Sequence, residues 1–66
     1  MDNTTFTPYR IRLSYTDDPY TDLRQGDEGT VVAERVDPWG DLNISVEWDN
    51  GSSLKLIGGR DRWQVI

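Results

Sequence analysis

The stretch 42–56, LNISVEWDNGSSLKL, decides the fold. Leu42, Ile44, Val46 and Trp48 alternate with Asn43, Ser45, Glu47 and Asp49. An extended chain therefore places four apolar side chains on one face and four polar ones on the other. Alternation stops at Asp49-Asn50-Gly51-Ser52 and resumes with Leu54 and Leu56. Two alternating runs split by Asn-Gly are the strongest short-range hairpin signal, because both residues tolerate the positive φ of a tight turn. The expectation is a hairpin with strands over 42–49 and 53–57 and with Trp48 in the core.

Working toward the N-terminus, Asp37-Pro38-Trp39-Gly40-Asp41 reads as a second turn. Before it, 30–36 alternates imperfectly, with Val31 and Ala33 on one face and Val32, Glu34 and Val36 on the other, so a bulge is expected there. Residues 16–28, TDDPYTDLRQGDE, form a long loop carrying five acids against Arg24, a local charge of −4. Such a loop in a small domain is functional or packed on itself, and Tyr20 and Leu23 are the side chains expected to tuck beneath it. Tyr9, Ile11, Leu13 and Tyr15 alternate with Arg10, Arg12 and Ser14 as strand one. Residues 1–8 read as an arm, with Phe6 as its anchor. Toward the C-terminus, Gly58-Gly59-Arg60-Asp61-Arg62 makes a tight connection, read as one 3₁₀ turn, and 63–66 closes the chain as strand five. No window keeps the helical period of apolar residues. Five short strands suggest a closed barrel, because closure removes exposed sheet edges.

The chain has 66 residues and a net charge of −5. It holds one domain, over 9–66, and buries only about 60% of its unfolded surface. Cysteine and histidine are absent, which removes disulfides, thiolate metal sites and the commonest metal ligand. Burial must come from three Trp, three Tyr and one Phe, or from self-association, so a homo-oligomer stays open. The acidic balance argues against nonspecific nucleic-acid binding. No signal peptide or membrane-length apolar run is read, so the expected location is the cytoplasm. The Asn-x-Ser/Thr triplets at Asn3, Asn43 and Asn50 are chance matches in that setting.

Asp17–Thr21, Gly26–Val31, Val46–Leu56 and Gly59–Trp63 together carry a resemblance across 9–66. The order of strand, acidic loop, Gly-Asp-Glu-Gly turn, meander, short turn and last strand resembles an SH3-like barrel. The motifs GDEGTV, VxWDNGSSLxL and GxDRW resemble a family of short bacterial and phage domains of unknown function. That resemblance implies a small five-stranded SH3-like barrel with a phage or mobile-element origin. It implies no chemistry. The departure is 34–41, which reads as a longer loop than the family's and adds Trp39.

The catalytic options are narrow. Ser-His and Cys-His pairs are impossible here. Asp17 with Asp18, or Asp27 with Glu28, are conceivable acid–base pairs, but charge runs are usually solvated. No calcium-loop spacing and no phosphate-binding glycine loop are present. The expectation is no enzyme, no cofactor and no metal. The first functional reading is an interaction module. In it, Asp17, Asp18, Tyr20, Asp22, Asp27, Glu28 and Trp39 meet a basic surface of a host protein. The alternative is an oligomeric binder of a small anionic or nucleotide ligand through Arg10, Arg12 and Arg62. Against it stands simple cross-strand pairing of those arginines with acids. Tyr15, Tyr20 and Trp39 flank two loops, where aromatics can line a proline-peptide groove, but the paired tryptophans and the Pro-Ser-Asn-Tyr-like stretch of peptide-binding SH3 domains are missing.

Overall fold

Alternating patterns become five antiparallel strands in a computed structural model that describes residues 6–66. They are β1 (Tyr9–Tyr15), β2 (Glu28–Val36), β3 (Leu42–Trp48), β4 (Leu56–Ile57) and β5 (Arg62–Val65). They form one sheet in the order β4-β3-β2-β1-β5. The fold is all-β, and no helix is assigned among the described residues. The expected arm falls partly on residues 1–5, which lie outside the described residues. Phe6 stacks obliquely against Tyr9 with ring centres 6.1 Å apart.

The apolar faces converge as alternation requires. Ile11, Leu13, Leu23, Val31, Ile44, Val46, Trp48 and Leu56 make the core, with Tyr9, Leu54 and Trp63 packed on it. Gly29 sits where β1, β2 and β3 meet, opposite Ile11 and Trp48. A Cβ there would lie 2.7 Å from Val46 Cγ1 and 2.9 Å from the Glu47 carbonyl, so only glycine fits. Leu23 is buried under the long loop as expected, but Tyr20 is not: it is 94% exposed.

Both hairpins use one turn. In 37–41 the Gly40 N–H bonds to the Asp37 carbonyl at 3.0 Å and the Asp37 N–H to the Asp41 carbonyl at 2.9 Å. In 48–52 the Gly51 N–H bonds to the Trp48 carbonyl at 3.0 Å and the Trp48 N–H to the Ser52 carbonyl at 3.4 Å. Gly40 and Gly51 have φ of 87° and 86°, and no non-glycine among the described residues has a positive φ. This is the three-residue hairpin with a left-handed glycine bulge, so Asn50 does not need the positive φ that a two-residue turn demands. The stretch 34–41, read as a longer loop, is strand and tight turn: the β2–β3 ladder runs on to Val36↔Leu42.

Three sequence expectations are corrected in detail. Tyr15 does not join the face of Ile11 and Leu13. A register shift between Leu13 and Tyr15 sets it opposite Arg62, 54% exposed. Strand four is only two residues long, because the Trp48 indole N–H donates to the Leu54 carbonyl at 2.9 Å and holds 53–55 off the ladder. The 58–61 connection is a turn without a 3₁₀ helix, and an isolated bridge pairs Gly58 with Asp61 at its two ends. The expected bulge in β2 is present, between Val31 and Ala33.

Candidate functional site

Three of the five acids singled out in the sequence, Asp18, Asp27 and Glu28, are engaged in the fold. Glu28 starts β2, where its side chain meets β1: Oε2 accepts from Arg12 at 3.1 and 3.2 Å, and Oε1 lies 3.5 Å from Arg10. Arg10 also forks onto Asp49, at 2.6 and 2.7 Å, and donates to Thr30 Oγ1. The bidentate bond to Asp49 raises the Arg10 pKa and lowers that of Asp49 below the ordinary carboxylate range. Arg10 and Arg12 are therefore committed to acids across the sheet, and the structure does not gather them with Arg62 around a common space. β5 does lie beside β1, with Arg12 opposite Gln64 and Tyr15 opposite Arg62.

The long loop is held by its own carboxylates and by one from outside it. Asp27 Oδ2 accepts the Arg24 N–H at 2.8 Å, and Asp18 Oδ1 accepts the Tyr20 N–H at 2.8 Å. These are side-chain turns of the kind Asp favours. The main-chain ladder continues through Leu13, which bonds to Asp27 and Gly26. Asp17 and Asp22 keep exposed carboxylates without a hydrogen-bond partner or ion pair among the described residues.

Asp61 is the organising residue that sequence reasoning missed. Its side chain is buried, 9% exposed. Oδ1 accepts from Thr16 Oγ1 and the Asp17 N–H, both at 2.9 Å, and Oδ2 accepts the Ile57 N–H at 2.8 Å. One carboxylate thereby ties the start of the acidic loop to β4 and the last turn. No local pattern announces this, since two of its three donors lie some 45 residues away along the chain. Only the carboxylate between two arginines after Gly58-Gly59 was visible.

Trp39 stands at the tip of the β2–β3 hairpin, 84% exposed. Beneath it Asp37 fixes the turn. Asp37 Oδ1 accepts the N–H groups of Trp39 and Asp41 at 2.9 Å, and Oδ2 accepts from Asn43 Nδ2 at 3.0 Å. The bond from the Asp41 N–H is the main cause that lowers the Asp37 pKa, and the donors of Asn43, Trp39 and Gly40 add to it. Trp39, Asp37 and Asp41 share a shallow depression with Ile57 and Arg60. Arg60 and Ile57 in turn border a second depression with Thr16, Asp17 and Asp18. The turn at Arg60 thus joins two features far apart in sequence, the acidic loop and the Trp39 tip. Asp27 and Glu28 belong to neither depression.

Among the described residues no group of three acids converges as a metal site would need. The match to a known family covers nearly the whole chain, residues 5–66. The chain belongs to the family described as a domain of unknown function (DUF4314). No curated protein and no solved structure matches it. The matched span contains the motifs GDEGTV and GxDRW, whose residues Gly29 and Asp61 hold the core junction and the loop. No helix among the described residues is long and apolar enough to cross a membrane.

Proposed function

We propose that this domain is a non-enzymatic interaction module whose Trp39 tip docks on a partner protein carrying a basic surface. The observation that supports it is a tryptophan 84% exposed on a turn that Asp37 has already immobilised. Exposed tryptophan is enriched among residues that dominate binding energy, and a pre-ordered turn removes part of the entropy cost of association. The free carboxylates of Asp17 and Asp22 and the nearby Asp41 supply the negative charge that steers a basic partner. Asp27 and Glu28 contribute to the fold instead, through the Arg24 turn and the β1 arginines. The strand order supports an SH3-like plan, with the contact made at the hairpin tips rather than in a proline-peptide groove. A phage or mobile-element origin rests on the sequence resemblance, and a cytoplasmic site of action on the lack of cysteine, which fits a reducing compartment.

The test is a photo-crosslinking residue placed at position 39 and, as a control, at Glu47 on the exposed face of β3. The expected result is one crosslinked host protein from position 39 only. It should be competed away by the unlabelled domain and weakened by about tenfold when Asp17 and Asp22 become asparagine. Crosslinks of equal yield from both positions, or competition by a Trp39→Ala chain as strong as by the natural one, would overturn the reading.

A further inference from the structure

Arg60 and Arg62 flank Asp61 in sequence, where the acid offsets one of the two charges. The fold undoes that cancellation. Asp61 turns inward and spends its carboxylate on Thr16, Asp17 and Ile57. Arg60 and Arg62 stay exposed, and neither makes an ion pair among the described residues. Both line one depression of about 470 Å³, together with Tyr15 and Gly59, and no carboxylate lines it.

We propose that Arg60, Arg62 and Tyr15 bind the phosphate of a small planar molecule, of the nucleoside monophosphate class. Two guanidinium groups offer the forked donors that suit a phosphate. The Tyr15 ring, turned off the core by the β1 bulge, pairs across the strands with Arg62 and is 54% exposed. It stands beside the charge it would complement, as a base-stacking platform. Gly59, at φ 91°, has no atom within 4 Å of where a Cβ would lie, so the space beside the arginines stays open. The size of the depression falls in the range of small-molecule sites, about 300–1,000 Å³. Net charge selects the same class of ligand. A single phosphate feels the two local arginines, whereas an extended polyanion also meets the repulsion of a chain at −5. Asp17 and Asp18 border Arg60 on its other side and bound the site with negative charge.

The proposal is independent of the Trp39 contact and is tested on the full chain. Amide chemical shifts are followed at low salt during titration with AMP, adenosine, inorganic phosphate and an oligothymidine carrying a terminal phosphate. AMP should move the amides of Tyr15 and of 59–62. Adenosine and phosphate alone should each bind at least about tenfold more weakly, since each lacks one half of the recognition. The Arg60→Gln/Arg62→Gln pair should lose about tenfold or more in AMP affinity with an unchanged melting temperature, and Arg35→Gln, elsewhere on the surface, should lose none. Absence of AMP binding at about 10 mM, equal affinity in the double variant, or adenosine binding as tightly as AMP would overturn the site. An oligothymidine that binds more tightly than AMP through the same arginines would overturn the choice of a small ligand.

Discussion

Strand β2 is one continuous strand with two different halves. Up to Val31 it lies between β1 and β3, and Gly29 and Val31 are buried. Past the bulge it pairs with β3 alone, and every residue from Val32 to Val36 is exposed. Both halves have the β-branched composition of a strand. The difference lies in what covers them, and it teaches that the first half builds the domain while the second carries the Trp39 tip outward. Tyr9 is the tie between them: it packs on the core and donates its hydroxyl in a short hydrogen bond to Glu34 on the projecting half.

The largest expected effect breaks the comparison outright if it fails. Trp48→Ala removes a core indole and the bond that holds Leu54, and should cost about 3–5 kcal/mol, whereas Trp39→Ala should stay within about 0.5 kcal/mol. Urea unfolding of the two variants measures both, and equal losses would mean that the tip is packed. Next comes Gly29→Ala, which drives a methyl into Val46 and the β3 backbone and should cost about 1–3 kcal/mol as overpacking. Its melting point should fall by several degrees.

Asp61→Ala should come third. It removes the shared acceptor of the part-buried Ile57 and Asp17 N–H groups and of the Thr16 hydroxyl, at a cost of about 1–3 kcal/mol in all. The loss should appear in hydrogen exchange as faster opening of 16–18 and 57–61 than of β1 to β3. Uniform acceleration would mean that Asp61 supports the whole sheet rather than its joint.

The smallest effect sharpens the tie between the halves. Burial first, and then the bond and charge of Glu34, push the Tyr9 hydroxyl up to about 12. An unfolded tyrosine ionises near 10. Because the folded value is the higher one, the stability from this tie is complete below about pH 10 and is lost as pH rises from there toward 12. Absorbance at alkaline pH should show one late tyrosine step that Tyr9→Phe abolishes and Glu34→Gln moves earlier.

Much of the fold was legible because period-two alternation is local. Residues 9–15 formed strand one as read, Trp48 and Leu23 went inside, and the two turns fell where Asn-Gly and Pro-Trp-Gly marked them. Tyr15 and Tyr20 were misread for different reasons. A bulge set by the register against β5 turned Tyr15 outward, and Tyr20 belongs to a loop in which Leu23 alone is buried. The candidate site was less legible still. Seven residues were grouped by charge and aromaticity along the chain, but Asp18 and Asp27 cap turns, Glu28 pairs with β1, and only Asp17, Asp18 and Trp39 border the turn at Arg60.

By itself the sequence determined the strand class, the core face of the 42–56 hairpin and the absence of histidine or cysteine chemistry. These depend on side-chain alternation and on residue identity, which need no partner segment. Tertiary structure alone decided which charges are spent and which remain. Arg10 and Arg12 look as free as Arg62 until β2 and β3 bring Glu28 and Asp49 beside them. Asp61 looks like a surface acid until the loop delivers Thr16 and Asp17 to it. Electrostatic pairing is short-ranged in water and is fixed by distance in space, not by separation along the chain.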